Sequence, residues 1–121
     1  MPEKRKAASA LSDFLGVLSH PDRIRIVEEL RSGQLEVREM RERLAIPPSR
    51  LSQHLTLLKA QNLIGENRDG RKVVYVLLEP RLAEWLLEGL IFVRHGAERA
   101  VEVGEAAARA SQMWSHPADQ P

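Results

Sequence analysis

Asp69-Gly70 stands between two β-prone runs, Leu63 to Arg68 and Arg71 to Leu77, and no other pair of residues constrains the fold as much. A tight turn between strands needs positive φ, which glycine adopts at no steric cost. The pattern predicts an antiparallel hairpin. Val73, Tyr75 and Leu77 fall on one face of its second strand, and that face should lie on the core. Just before the hairpin runs Ser49 to Lys59, where Leu51, Leu55 and Leu58 recur at helical spacing. This predicts a short helix packed through its leucines, with Ser49, Ser52, Gln53 and Thr56 on the other side.

Other helices are legible around this unit. A first helix from about Ala8 to Ser19 carries the stripe Leu11, Phe14, Leu15 and Leu18. A second starts at Pro21, carries Ile24, Val27 and Leu30, and ends at Gly33. A third covers about Val37 to Leu44, with Arg38, Arg41 and Arg43 along one flank. Pro47-Pro48 then breaks the chain, and Pro47 lacks the side-chain oxygen of a usual N-cap, so Ser49 is a candidate cap with a later helix start. The third and fourth helices form a helix-turn-helix by spacing, with the hairpin as its wing.

After Pro80 a long helix is expected. Leu82, Trp85, Leu86, Leu87, Leu90, Ile91, Phe92 and Val93 leave it almost no polar side. So small a chain cannot wrap such a helix alone, and a two-fold homodimer is the simplest resolution. Leu11, Phe14, Leu15, Leu18, Trp85, Leu86, Leu90 and Val93 are the expected dimer residues. Glycines at 89, 96 and 104 weaken the helix, and a bend or break is expected near Gly96. The fold class is therefore mainly α with a small antiparallel β-hairpin: a dimeric winged helix-turn-helix of four helices, two strands and a last helix. Residues 1–7 are expected to be a flexible basic tail, 8–112 the domain with a DNA-binding core at 20–78, and 113–121 a second flexible tail.

Composition narrows the function classes. The chain has 121 residues, 43% hydrophobic, and no cysteine, so thiolate metal sites and thiol switches are excluded. A cytoplasmic location agrees with this. The opening Lys4-Arg5-Lys6 and Ala7 to Leu18 mimic a secretory leader, but Asp13 interrupts the apolar part and no cleavage site follows. No apolar run approaches the roughly 20 residues of a membrane span. Net charge is only +1, but the first 76 residues hold 14 basic and 10 acidic groups, and the rest hold four and seven. The hairpin-bearing end is the basic one, as in a nucleic-acid binder. His20, His54, His95 and His116 sit in no catalytic spacing, and no glycine loop cradles phosphate. No catalytic residue and no cofactor is assigned.

Double-stranded DNA is the expected partner. The Gln53 amide can pair bidentately with adenine, and Ser49, Ser52 and Thr56 can reach bases or phosphates. Arg50 should meet phosphate near the helix N-terminus. Arg68, Arg71 and Lys72 crowd the hairpin tip, where they can clamp phosphate, although charged tips also protect a sheet edge. Arg38 and Arg41 can grip the backbone, or pair with Glu36 or Glu42. His54 lies between the two faces, either touching phosphate or packing under the wing.

Three blocks carry a resemblance: Leu18-Ser19-His20-Pro21-Asp22-Arg23-Ile24-Arg25-Ile26-Val27, then Ser49-Arg50-Leu51-Ser52-Gln53-His54-Leu55 with Leu58, then Arg68-Asp69-Gly70-Arg71-Lys72-Val73-Val74-Tyr75. In this order they resemble the ArsR/SmtB winged-helix repressors over about residues 11–95. The resemblance implies a dimeric repressor, paired through its first and last helices, on an inverted-repeat operator. Two departures concern metal. At the positions of the family's Cys-x-Cys pair stand Glu36 and Arg38. A second family site, on the last helix, aligns with Glu79, Arg81, Phe92 and His95, of which two are not ligands. The metal expectation is none, with a zinc or nickel site on His95 and Glu98 as the alternative. An apolar small-molecule inducer between the last helices, and a protein-binding winged helix without DNA, also remain open.

Overall fold

Proline placement sets where two of the helices beside the hairpin begin. A computed structural model describes residues 1–115. Helices α2 (Pro21–Glu29) and α4 (Pro48–Ala60) carry proline in the first turn, where the missing N–H has no intrahelical partner to lose. In α4 the Leu51 N–H reaches the Pro47 carbonyl at 2.9 Å, so the helix starts at Pro48, and Pro47 occupies the cap position without a side-chain bond. The later start on Ser49 is thus corrected. Helix α1 (Pro2–Leu18) also begins on a proline, six residues before the expected Ala8. Glu3 in its first turn and the helix-favouring run Lys4 to Ala8 extend it over residues expected as a tail.

Strand β1 (Leu35–Glu36) precedes α3 (Val37–Leu44), and strands β2 (Ile64–Asp69) and β3 (Lys72–Leu77) form the hairpin. The sheet has three strands in the order β1-β3-β2, all antiparallel. The sequence reading missed β1, which pairs Leu35 with Tyr75 and Glu36 with Val74. Asp69 pairs with Lys72, so the loop residues are Gly70 and Arg71, one position later than expected. Gly70 has φ +63° and Arg71 is not in the positive region, the pattern of a type II′ turn.

The core runs through all of these elements. Ile26, Val27 and Leu30 from the α2 region, Met40 from α3, Leu51 and Leu58 from α4, and Ile64 from β2 are sealed from solvent. Leu77 is buried, and Tyr75 packs partly against the same cluster. Ile24, expected inside, is 41% exposed, because the buried stripe of α2 runs through Ile26. Arg25 donates to the Leu44 carbonyl at 3.0 Å, which satisfies the C-terminal end of α3.

The expected last helix is two helices, α5 (Arg81–Glu88) and α6 (Leu90–Ser115). The interruption falls at Gly89 rather than Gly96. Gly96 and Gly104 lie in or beside an Ala/Glu/Arg-rich run that carries the helix through them, whereas Gly89 precedes Ile91, Phe92 and Val93, weaker helix formers. The chain divides into two compact units, Met1–Leu87 and the part from Glu88 onward. Helix α6 runs through Gly104 to Ser115, into the stretch expected as a tail. His116 and the rest of that stretch lie outside the described residues. Among the described residues no helix is long and apolar enough to cross a membrane.

Candidate nucleic-acid interface

Helix α4 has two chemically distinct sides. Leu51, His54, Leu55 and Leu58 are buried. Ser49, Arg50, Ser52, Gln53 and Thr56 are exposed. The Thr56 hydroxyl donates to the Ser52 carbonyl at 2.8 Å, so only its acceptor capacity is left for another partner. The amide of Gln53 and the hydroxyls of Ser49 and Ser52 make no bond within the described residues. They form the polar, uncharged centre of the face that sequence alone picked out.

Cations flank this centre. Arg38 and Arg41 are exposed on α3. Arg41 also lines, with Val37, Pro48, Leu51, Ser52, Leu55, Thr56 and Tyr75, a cleft of about 100 Å³. That volume is well below the roughly 300 Å³ at which ligand pockets begin. On the wing, Arg71 and Lys72 stand at the tip with no ion pair among the described residues. Arg68 differs: its Nε lies 3.4 Å from Glu66 Oε1, while Lys59 from the end of α4 bonds Glu66 Oε2. The Lys59 hydrogen bond, reinforced by Arg68, holds the Glu66 carboxyl below the usual carboxylate range. Glu66 therefore ties the wing to α4 and draws Arg68 partly away from any phosphate.

His54 is a correction. It is 6% exposed and cannot meet DNA from this position. Its ring lies in a polar knot between α4 and the start of α2. Nδ1 faces Arg23 Nη1 at 3.3 Å, Nε2 lies 3.4 Å from Asp22 Oδ2, and the ring packs against His20 at 4.5 Å between centroids. Asp22 also accepts from Arg50 Nε at 3.1 Å. His20 caps α2 by accepting the Asp22 N–H at 3.0 Å. Nothing in the sequence pattern assigns a role to His20, Asp22 or Arg23. One signal was there: His54 is three residues after Leu51 and four before Leu58, inside the apolar stripe.

His20, Asp22 and His54 are also the one cluster of three metal-ligating side chains among the described residues. The neighbouring arginines oppose a cation there. A guanidinium only donates, so His54 Nδ1 must accept and the neutral ring carries its proton on Nε2. Among the described residues neither His95 nor Glu98 belongs to a cluster of three metal-ligating side chains, and Glu98 pairs with Arg94 at 3.9 Å.

The expected dimer residues also separate. Leu11, Leu15 and Trp85 are 53%, 44% and 49% exposed, and Leu90 and Val93 are exposed on α6. Phe14 and Leu86 pack partly on the core, and Phe14 meets Trp85 at 6.0 Å between rings. Leu18 is buried within its own chain at 3% exposure, so it is struck from the interface.

Known proteins share this fold. Residues 20–65 match the model of the bacterial regulatory protein, arsR family. The transcriptional repressor SmtB of Mycobacterium tuberculosis is 37% identical over 100 residues, covering 83% of this chain and 72% of its own. The crystal structure of NolR from Sinorhizobium fredii superposes with a TM-score of 0.67 at 29% identity, covering 77% of this chain and 92% of that one. A homodimeric winged helix-turn-helix DNA-binding domain from Mycobacterium bovis has the same fold, with a TM-score of 0.67 at 17% identity over 82% of this chain and 92% of its own. The chain belongs to the arsR family of bacterial regulatory proteins, DNA-binding transcriptional regulators of winged helix-turn-helix fold that are not enzymes.

Proposed function

We propose that the chain is a homodimeric repressor that binds an inverted-repeat operator through residues 20–78. Each α4 enters the major groove of one half-site. Gln53, with Ser49 and Ser52, reads base edges, and Arg50, Arg38 and Arg41 hold the flanking phosphates. Arg71 and Lys72 reach the neighbouring backbone or minor groove from the wing, with Arg68 secondary. The observation that carries this reading is the exposed face of α4, where Ser49, Ser52 and Gln53, whose side chains make no bond among the described residues, stand beside Arg50 and near Arg41. Leu11, Leu15 and Trp85 on the first unit, and separately Leu90 and Val93 on the second, are exposed apolar side chains available to a second copy. Release from DNA does not use a thiolate, since the chain has none. A small-molecule inducer would have to bind outside the α3–α4 cleft, which holds only a few atoms.

The test is footprinting of genomic fragments retained by the purified protein. Two symmetric protected half-sites about one helical turn apart are expected. Equal retention of all fragments, or none at low salt, would refute the proposal. Zinc titration addresses the metal-sensing alternative: release of bound DNA at stoichiometric zinc would establish a metal site, with His95 and Glu98, one turn apart on α6, as its first candidates.

A further inference from the structure

Arg50 is held by one nitrogen only. Its Nε donates to Asp22 Oδ2 at 3.1 Å, while Nη1 and Nη2 make no bond within the described residues. The Arg50 side chain is 54% exposed, whereas that of Asp22 is 12% exposed. Asp22 is fixed from behind: it sits in the first turn of α2, its backbone N–H is bonded to His20, and His54 closes over the same oxygen at 3.4 Å. A nearly buried carboxylate therefore grips the inner edge of a guanidinium whose outer edge faces solvent at the N-terminal turn of α4. A guanidinium can serve two anions at once because its donors are set in a rigid planar fork.

We infer that Asp22 is a positioning residue for DNA binding: it orients Arg50 so that both Nη groups face one phosphate beside the recognition helix. This rests on the proposed reading that Arg50 meets the backbone, and it adds the reason that contact is made at little conformational cost. A free arginine loses side-chain entropy when it orders on a phosphate; this one is already ordered.

The account distinguishes Arg50 from a simple positive charge. A lysine has one nitrogen, which cannot hold the carboxylate and the phosphate in the two directions the fork does. The experiment is operator affinity as a function of salt for wild type, Arg50→Gln, Arg50→Lys, Asp22→Asn and the Asp22→Asn/Arg50→Gln double variant. Circular dichroism melts are recorded for each. Arg50→Gln should lower the slope of log K against log salt by about 0.9, one phosphate contact. Arg50→Lys should lose most of the same affinity although its charge is kept. Asp22→Asn should weaken binding in the wild-type background and have no further effect on DNA when Arg50 is already glutamine. A purely structural Asp22 would weaken both backgrounds equally. If Arg50→Gln leaves slope and affinity unchanged, the phosphate reading of Arg50 itself fails. If Arg50→Gln weakens binding but Arg50→Lys binds like wild type, the positioning role of Asp22 is overturned, and this holds even if Asp22→Asn does not fold.

Discussion

Arg23 Nη1 lies 3.3 Å from His54 Nδ1, so a permanent cation faces the nitrogen on which a buried imidazole would take its second proton. Burial above all, then His20 and Arg23, push the His54 pKa below the ordinary imidazole value, and Asp22 offsets this only in part. The unfolded chain therefore takes up this proton first, at about pH 6.5. Protons bound preferentially by the unfolded state destabilise the fold, so stability supplied by this site is present above that pH and is lost as pH falls below it. The thermal midpoint should drop between about pH 7 and pH 5. A His54→Gln variant should show a smaller drop over that range. An equal drop in the variant would remove His54 from the account.

The joint between α2 and α4 also depends on apolar packing. Leu58 is fully buried and anchors α4 from behind. Leu58→Ala should cost about 2–5 kcal/mol of unfolding free energy by denaturant melts. A cost below about 1 kcal/mol would mean that the site collapses around the smaller side chain.

Glu66 is a restraint on two cations. Glu66→Gln should loosen its hold on Lys59 and Arg68 and raise affinity for non-specific DNA, with a steeper salt dependence. Arg71→Ala should do the reverse on every sequence. Electrophoretic mobility shifts over a salt series read both changes. Unchanged slopes would place the wing away from the duplex.

Leu15 and Trp85 expose apolar surface on the first unit, and charge placed there should be costly in an interface. Leu15→Glu is expected to shift sedimentation from dimer to monomer and to weaken operator binding, while the fold survives because Leu15 is 44% exposed. A dimer of unchanged affinity would move the interface elsewhere.

What could be read from the chain was local. The leucine period of α4, the span of α3 and the hairpin around Gly70 follow from spacing and turn chemistry within a few residues. What escaped depends on partners distant in sequence. Leu35 and Glu36 become a strand only because Tyr75 and Val74 lie opposite them, some 40 residues away. Asp22 carried no role in the sequence, because its partners Arg50 and His54 lie some 30 residues away and meet it only on folding. His54 was legible in part: its place between the two faces of α4 left packing open beside phosphate contact, but the partners it packs against, His20, Asp22 and Arg23, lie some 30 residues away. The break at Gly89 rather than Gly96 reflects which neighbours can carry a helix past a glycine. The proline start of α1 was hidden because a basic run at a chain end ordinarily reads as solvated tail.

Selection of operator-like sequences from a randomised duplex library, by wild type and by Gln53→Ala, tests the central claim most directly. On the proposal that Gln53, exposed on α4, reads bases, wild type should enrich a fixed adenine in each half-site and the variant should lose that preference while still binding. Identical enriched sequences from both proteins would contradict it.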